Sequence, residues 1–479
     1  MCAPLGACAR AKLARSRRDP DGVLVGFAAV LTVTSVVSGL TGASVVPADL
    51  PQPASAVSVV SALPGASAVT GDPVLSGTSD LPSAPSGRSA AASLLGSVAG
   101  VDASALPSFL DANRAKLESL LVETPAAADV SRLWKLIDPA KQKLLIQAAP
   151  HVIGNLEGVP YAVRGRANSL DLKQTISHVS TRLRTEHGRA ERVGLQRQLE
   201  TLENVRKALS KHDGVTRTLV GLDPSTDAKA AIVVGDLASA RYVSVLVPGM
   251  YMSVGEQIQD WAKVAQEQYD LQTGFLRRVL GPRGSGGAPG VAVVAWIGYQ
   301  TPVLTNIGGT TLATQGADSL ERTLQGIRAI RTADQPFLSV FAHSYGSTAA
   351  LMALERHTVT VDALALMGSP GSAAQSVAGL AVAHGNVFVG EAPMDPIVNS
   401  AFFGSDPGSP SYGATPMGVS GAVDPLTHET LAGSSGHNAY FTAGTECMRN
   451  LAMIGIDLGN LVLGPGSSSG ATVKTASAH

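Results

Sequence analysis

Charged residues are scarce in this chain. Asp, Glu, Lys and Arg make up only 15% of 479 residues, and 36 basic against 37 acidic side chains leave a net charge of −1. A nucleic-acid binder would carry a basic stripe, so that class is excluded. Aromatic residues are also few, at 4%. Cysteine occurs three times, as Cys2, Cys8 and Cys447, too few for a disulfide framework or a cysteine metal cluster. The ten histidines are scattered without ligand spacing, so neither a metal nor a cofactor is expected. Gly and Ala are abundant, and part of the length is therefore low-complexity sequence rather than core. What remains still suffices for two or three domains.

The N-terminus reads as an export signal. Arg10, Lys12, Arg15, Arg17 and Arg18 form a basic segment, and Val23 to Leu40 is uncharged and mostly apolar. That run is long for a cleaved signal and could equally stay as an anchor, so residues 1–46 are assigned to a signal peptide or membrane anchor. Residues 47–105 are Ala, Ser, Pro, Gly and Val with almost no charge, and are expected to be a disordered linker.

Residues 106–212 look helical. Leu195, Leu199, Leu202, Val205 and Leu209 recur at helical spacing among charges, as on a packing helix with one solvated face. Between the helices lies "HVIGNLEGVPYAVRGRAN", with Gly154, Gly158 and Pro160 marking a connection.

After Asp213 the pattern changes, and residues 213–463 form the next domain. "RTLVGL" and "KAAIVVGDL" flank a turn and predict a β-hairpin. "YVSVLVPGM", "VAVVAWIGY", "FLSVFA", "VDALALMG" and "NVFVGEA" are apolar strands separated by helices, two of them expected over Ala317 to Thr332 and Thr348 to His357. Continuous apolar strands alternating with helices mean a mostly parallel sheet covered on both faces. Ligands then sit at the carboxyl ends of the strands. No eighth strand is evident before His437. Residues 464–479 read as a disordered tail.

The stretch "VFAHSYGSTAAL", Val340 to Leu351, puts Ser344 between a strand and a helix. It departs from the elbow pattern G-x-S-x-G, having Ala342 at the first position. Gly466 to Gly470 match the pattern in full, but in a tail with no strand before them. Context favours Ser344. Gly346 is small where strand and helix crowd, and Ser347, Thr348, Ala349 and Ala350 keep the helix thin. The helix N-terminus points to where an oxyanion would form.

A serine needs a base, and the base an orienting acid. In a sheet of this kind the chain order is Ser, acid, His. "NVFVGEAPMDPIV" puts Asp395 just past a strand, and "GSSGHNAYF" puts His437 in a Gly/Ser loop before the last helix. Glu391 or Asp406 could replace Asp395, and His428 could replace His437. His343 beside the serine is expected to pack inward. Oxyanion donors are expected from the backbone of Met250, after "LVPG", and of Tyr345.

"LVPGM", "WIGYQTP", "AHSYGS", "LMGSPG", "GEAPMDPI" and "SGHNAYF", in this order, resemble the α/β-hydrolase family known as domain of unknown function 1023, found in exported actinobacterial proteins. "IGNLEGVPYAVRGRAN" resembles the helical segment preceding that domain. The resemblance covers about His151 to Leu463. It implies the α/β-hydrolase fold and carries Ser344, Asp395 and His437 over as the triad. It names no substrate. The resulting expectation is an exported or envelope-anchored serine hydrolase acting on small-molecule or lipid esters, touching a membrane only through its N-terminal segment. Acyl transfer to envelope lipids would use the same parts. A non-catalytic envelope binding protein keeping the fold is the reading from another class.

Overall fold

The computed structural model describes residues 90–210, 214–280 and 290–467. The proposed signal or anchor, most of the proposed linker and most of the tail lie outside the described residues.

Helices α1–α6 come first: Ala90–Gly100, Leu106–Ala112, Arg114–Glu123, Ala127–Trp134, Pro139–Ala148 and Pro150–Asn155. They enclose a core of their own, including Leu95, Leu106, Leu120, Trp134 and Ile137. Helix α1 falls inside the stretch read as linker. Its Leu94, Leu95 and Val98 are buried, and three apolar side chains at helical spacing let a short Ala/Ser-rich segment fold against neighbours.

Helices α7 (Tyr161–Thr185) and α8 (Arg189–Leu209) lead to the sheet. The face of α8 carrying Leu195, Leu202 and Val205 is buried in the core beneath the sheet, as expected of a packing helix.

The main sheet has eight strands in the order β1-β2-β4-β3-β5-β6-β7-β8. They are β1 (Arg217–Asp223), β2 (Lys229–Gly235), β3 (Tyr242–Val247), β4 (Val291–Ile297), β5 (Phe337–His343), β6 (Ala363–Met367), β7 (Val387–Gly390) and β8 (Thr415–Met417). β1 and β2 form the expected hairpin, β2 runs antiparallel to β4, and all later pairs are parallel. The strand missing from the sequence reading is β8. Three residues with a central proline carry no periodicity to detect, and pairing to β7 makes them a strand.

Every residue of β3 and β4 is buried, because each face of the sheet meets helices. Tyr242 and Leu246 of β3 join one core, with α8, α9 (Val254–Leu280) and α12 (Glu446–Gly455). Val243, Val245 and Val247 join the other, with α10 (Thr311–Ile330) and α11 (Tyr345–Glu355). Both α10 and α11 begin earlier than the sequence predicts. The polar "TTLATQG" hides the start of α10, and α11 starts at the residue after Ser344.

Register fixes where the strands end. Val247 pairs with Ala342, His343 with Met367, and Met367 with Gly390. The loops leaving β3, β5, β6 and β7 therefore emerge along one edge. The opposite problem, an open sheet edge at β1, is met by α6 and α7. The Asn155 amide donates to Leu222 O (2.8 Å) and accepts from Leu222 N (2.8 Å). Asn168 donates to Leu219 O (3.0 Å) and to Gly154 O (2.8 Å). Gly154, read from sequence as part of a connection, instead lies in α6, where a Cβ would come within 1.9 Å of Asn168 Oδ1.

Candidate active site

Ser344 is the turn between β5 and α11. Its backbone sits at φ 54°, ψ −132°, a conformation that L-residues rarely hold and that the surroundings must enforce. Its N–H donates to Met367 O of the neighbouring strand at 2.9 Å. The crowding is measurable. A Cβ on Gly346 would lie 2.3 Å from Pro248 O, and one on Gly249 would lie 2.6 Å from the Ser344 Cβ. Ala342 causes no conflict there, because its methyl is directed into the core with α10 and α11. Ser347, Thr348, Ala349 and Ala350 are all buried, so the thin start of α11 packs against the sheet edge. Ser347 Oγ donates to Ser344 O at 2.6 Å and ties the elbow to its helix.

Three chain-distant side chains meet at this edge. His437 Nε2 is 2.7 Å from Ser344 Oγ. His437 Nδ1 is 2.9 and 3.0 Å from the two oxygens of Asp395. The carboxylate is fully enclosed, while the imidazole keeps 11% of its side chain exposed. Burial alone would raise the Asp395 carboxyl, but hydrogen bonding and charge from His437, the Tyr440 hydroxyl and the Ile397 amide outweigh it and hold the group below its ordinary value. It is therefore an anion facing His437, and fixes Nδ1 as the protonated nitrogen.

The alternative residues lie elsewhere. Asp406 closes its own turn, accepting from Gly408 N at 3.0 Å. Glu391 packs against Gly408, and burial raises its carboxyl above the usual range. His428 sits at the tip of a small hairpin formed by β9 (Ala422–Val423) and β10 (Thr430–Leu431), at φ 61°. His343 packs inward as expected, and does more: its Nε2 donates to the backbone oxygen of His437 at 2.7 Å. Its ring lies 4.8 Å from that of His437, and burial with the nearby His437 pushes its pKa down to about 3.

The backbone N–H of Tyr345 opens α11, where no helical carbonyl can receive it. Met250 follows Gly249, the residue against the Ser344 Cβ. Among the described residues neither amide donates to a protein acceptor. Met250 and Tyr345 thus flank the elbow in sequence, one after Gly249 and one after Ser344.

Tyr440 escaped the sequence reading. Its hydroxyl donates to Asp395 Oδ2 at 2.6 Å and accepts from Ala392 N at 2.9 Å. No group of three His, Cys, Asp or Glu is placed to hold a metal among the described residues.

A mixed sheet with this strand order, a tight strand-to-helix elbow and helices on both faces defines the α/β-hydrolase fold. A family model described as alpha/beta hydrolase matches residues 223–405, which include β2 to β7 of this sheet. The match includes Ser344 and Asp395 and ends before His437. An uncharacterized protein of Mycobacterium tuberculosis, Rv2079, is 26% identical over 400 residues, which cover 71% of this chain and 57% of the relative. The chain thus spans little more than half the length of that relative. An uncharacterized protein of Mycobacterium bovis, Mb0988c, is 28% identical over 238 residues, 49% of this chain and 85% of the relative. Among solved structures, a carboxyl esterase of the fungus Tuber melanosporum covers 53% of this chain and 89% of its own, at 10% identity and a TM-score of 0.30. A thermostable esterase of Pseudomonas putida covers 60% and 97%, at 11% identity and a TM-score of 0.29.

Proposed function

We propose that the protein is a serine hydrolase that cleaves carboxylic esters. One observation carries the reading: Ser344 Oγ, the His437 ring and the Asp395 carboxylate form an unbroken hydrogen-bonded chain, with contacts of 2.7 and 2.9 Å. A fold kept only for binding has no need of that alignment.

In this reading His437 Nε2 takes the Ser344 proton as Oγ attacks the acyl carbon. The carbonyl π electrons move to oxygen, and the resulting oxyanion receives the Met250 and Tyr345 N–H groups. Asp395 balances the imidazolium formed on His437. The tetrahedral adduct collapses, the C–O bond to the alcohol breaks, and the alcohol leaves with the proton from Nε2. Water then repeats the sequence on the acyl-serine, releasing the acid and restoring Ser344. An alcohol in place of that water would turn hydrolysis into acyl transfer.

The test is labelling by a fluorophosphonate followed by peptide mapping. Label on the peptide carrying Ser344, abolished by Ser344→Ala, supports the reading. Label on Ser369 instead rejects it.

The basic segment and the apolar run Val23 to Leu40 support export, and we place the working site outside the cytoplasmic membrane. A reporter fused after Val101 that is active only in the cytoplasm would overturn this.

A further inference from the structure

The loops around Ser344 have an unusual chemistry. They are residues 248–253 after β3, 298–310 after β4, 368–376 after β6, 391–409 after β7 and 432–445 around His437. Together they contain no Lys or Arg, and their only carboxylates are Glu391, Asp395 and Asp406. Asp395 is sealed against His437, and Glu391 is half-buried.

The same loops expose large apolar side chains. Met394 is 88% exposed, Phe402 62%, Leu304 56% and Val303 43%. Three of them, Met394, Phe402 and Leu304, are tied to residues around Ser344. Met394 directly precedes Asp395 and is held at φ 63°, with its side chain outside while the next one is buried. Phe402 packs edge-on against Phe403, which packs in the same way against Tyr345, the residue after the nucleophile. Leu304 N donates to the Tyr251 hydroxyl at 3.0 Å, and Tyr251 N donates to Pro302 O at 3.0 Å, so this loop is anchored beside Met250. On this rim of loops, Met394, Phe402 and Leu304 are thus each linked, by chain or by contact, to a residue around Ser344.

Building on the serine-hydrolase reading, we propose that this rim docks on an assembled lipid surface without net charge, and that the substrate is a long-chain ester presented from that surface. Exposed Met, Phe and Leu side chains gain by leaving water for acyl chains. A rim without a cation has nothing to offer anionic headgroups, which attract polybasic segments, so the surface it fits is neutral or zwitterionic. Contact here places Ser344 at the lipid boundary. It is a second membrane contact, distinct from the apolar run at the N-terminus.

The full chain is compared with the triple variant Leu304→Ser, Met394→Ser, Phe402→Ser. Two turnovers are measured: p-nitrophenyl butyrate in solution, and p-nitrophenyl palmitate in phosphatidylcholine vesicles. The vesicle-to-solution ratio falls at least about tenfold in the triple variant, since three apolar side chains lose their transfer free energy. Val122→Ser with Leu136→Ser, exposed apolar residues of the helical region, leaves the ratio unchanged. In wild type the ratio is the same at about 0.1 M and about 1 M salt, because no charge pair is there to be screened. A triple variant within about twofold of the wild-type ratio overturns the docking face. So does a wild type that turns over butyrate but not the vesicle ester. A chain with no butyrate turnover and no label on Ser344 fails instead at the catalytic reading. Cosedimentation of wild type and triple variant with the same vesicles then decides docking on its own, both proteins carrying the same N-terminal segment.

Discussion

The Tyr440 hydroxyl donates to Asp395 Oδ2 at 2.6 Å, so the acid of the site is held from both sides, by His437 and by a buried phenol. A hydrogen bond to a charged group contributes about 1.5–3 kcal/mol. Tyr440→Phe should therefore lower kcat roughly 10- to 100-fold, with KM little changed, because Asp395 loses orientation rather than the substrate losing contacts. Steady-state kinetics on a short-chain aryl ester, with circular dichroism as the folding control, checks this. An unchanged kcat in a folded variant would show that His437 and Ile397 alone hold the carboxylate.

Tyr440 also marks the limit of what the sequence reveals. It stands in plain view in "GHNAYF", three residues after His437, but its partner is 45 residues away. A tyrosine among small residues looks like core until the fold brings Asp395 to it. Geometry carried by local context was legible: a strand, a strained turn and a thin helix place Ser344 at an elbow. Asp395 and His437 were legible through chain order. The clamp from His343 and the strand β8 were not, since both exist only through tertiary pairing.

The assignments of acid and base make opposed predictions. His437→Ala should be about as damaging as Ser344→Ala, because the members act as a unit. Asp395→Asn should cost about 10³ to 10⁴ in kcat while the fold persists. His428→Ala and Asp406→Asn should stay near wild type, since one sits at a hairpin tip and the other closes a local turn. An inactive His428→Ala beside an active His437→Ala would reverse the assignment.

Gly249 tests the crowding at the elbow. A methyl there would sit 2.6 Å from the Ser344 Cβ and 3.1 Å from His343 O, so something must shift. A displacement near 1 Å at a nucleophile costs about 10²-fold. Gly249→Ala should lose turnover on that scale and retain its circular dichroism spectrum. Gly274→Ala, on α9 with nothing within 4 Å, is the matched control and should retain full turnover.

His343 predicts how stability follows pH. Its folded pKa is depressed to about 3, because burial and the neighbouring His437 outweigh the bond it donates to the His437 carbonyl. In the unfolded chain it titrates near its ordinary value of about 6.5. Between those values the unfolded state binds the extra proton, so stability rises with pH across that window and falls as pH drops through it. The slope from this group approaches about 1.4 kcal/mol per pH unit below 6. His343→Gln keeps a donor for the His437 carbonyl and removes the titration. Urea midpoints from pH 7 to pH 4 should fall more steeply in wild type than in this variant, and parallel curves would reject the account.

The glycine-rich motif of the helical region makes the last prediction. Read as sequence, "HVIGNLEGVPYAVRGRAN" is a connection between helices. In the fold it is a clip on the sheet edge, with Asn155 pairing to both backbone groups of Leu222 and Asn168 donating to Leu219 O and Gly154 O. Asn168 is fully buried, and both its amide hydrogens point at carbonyl oxygens. Asn168→Asp preserves the shape but cannot donate, and it turns a carboxylate toward two acceptors. An unpaired buried charge costs about 3–5 kcal/mol, against about 1–3 kcal/mol for losing the neutral pair at Asn155→Ala. Asn168→Asp should therefore lower the urea midpoint more than Asn155→Ala does, and the gap should narrow as pH falls and the new carboxyl takes up a proton. Turnover per folded molecule should survive in both, because the clip lies on the far edge of the sheet from the strands that carry the site. Equal midpoints for Asn168→Asp and wild type would mean that the helical segment does not hold the edge strand in this way.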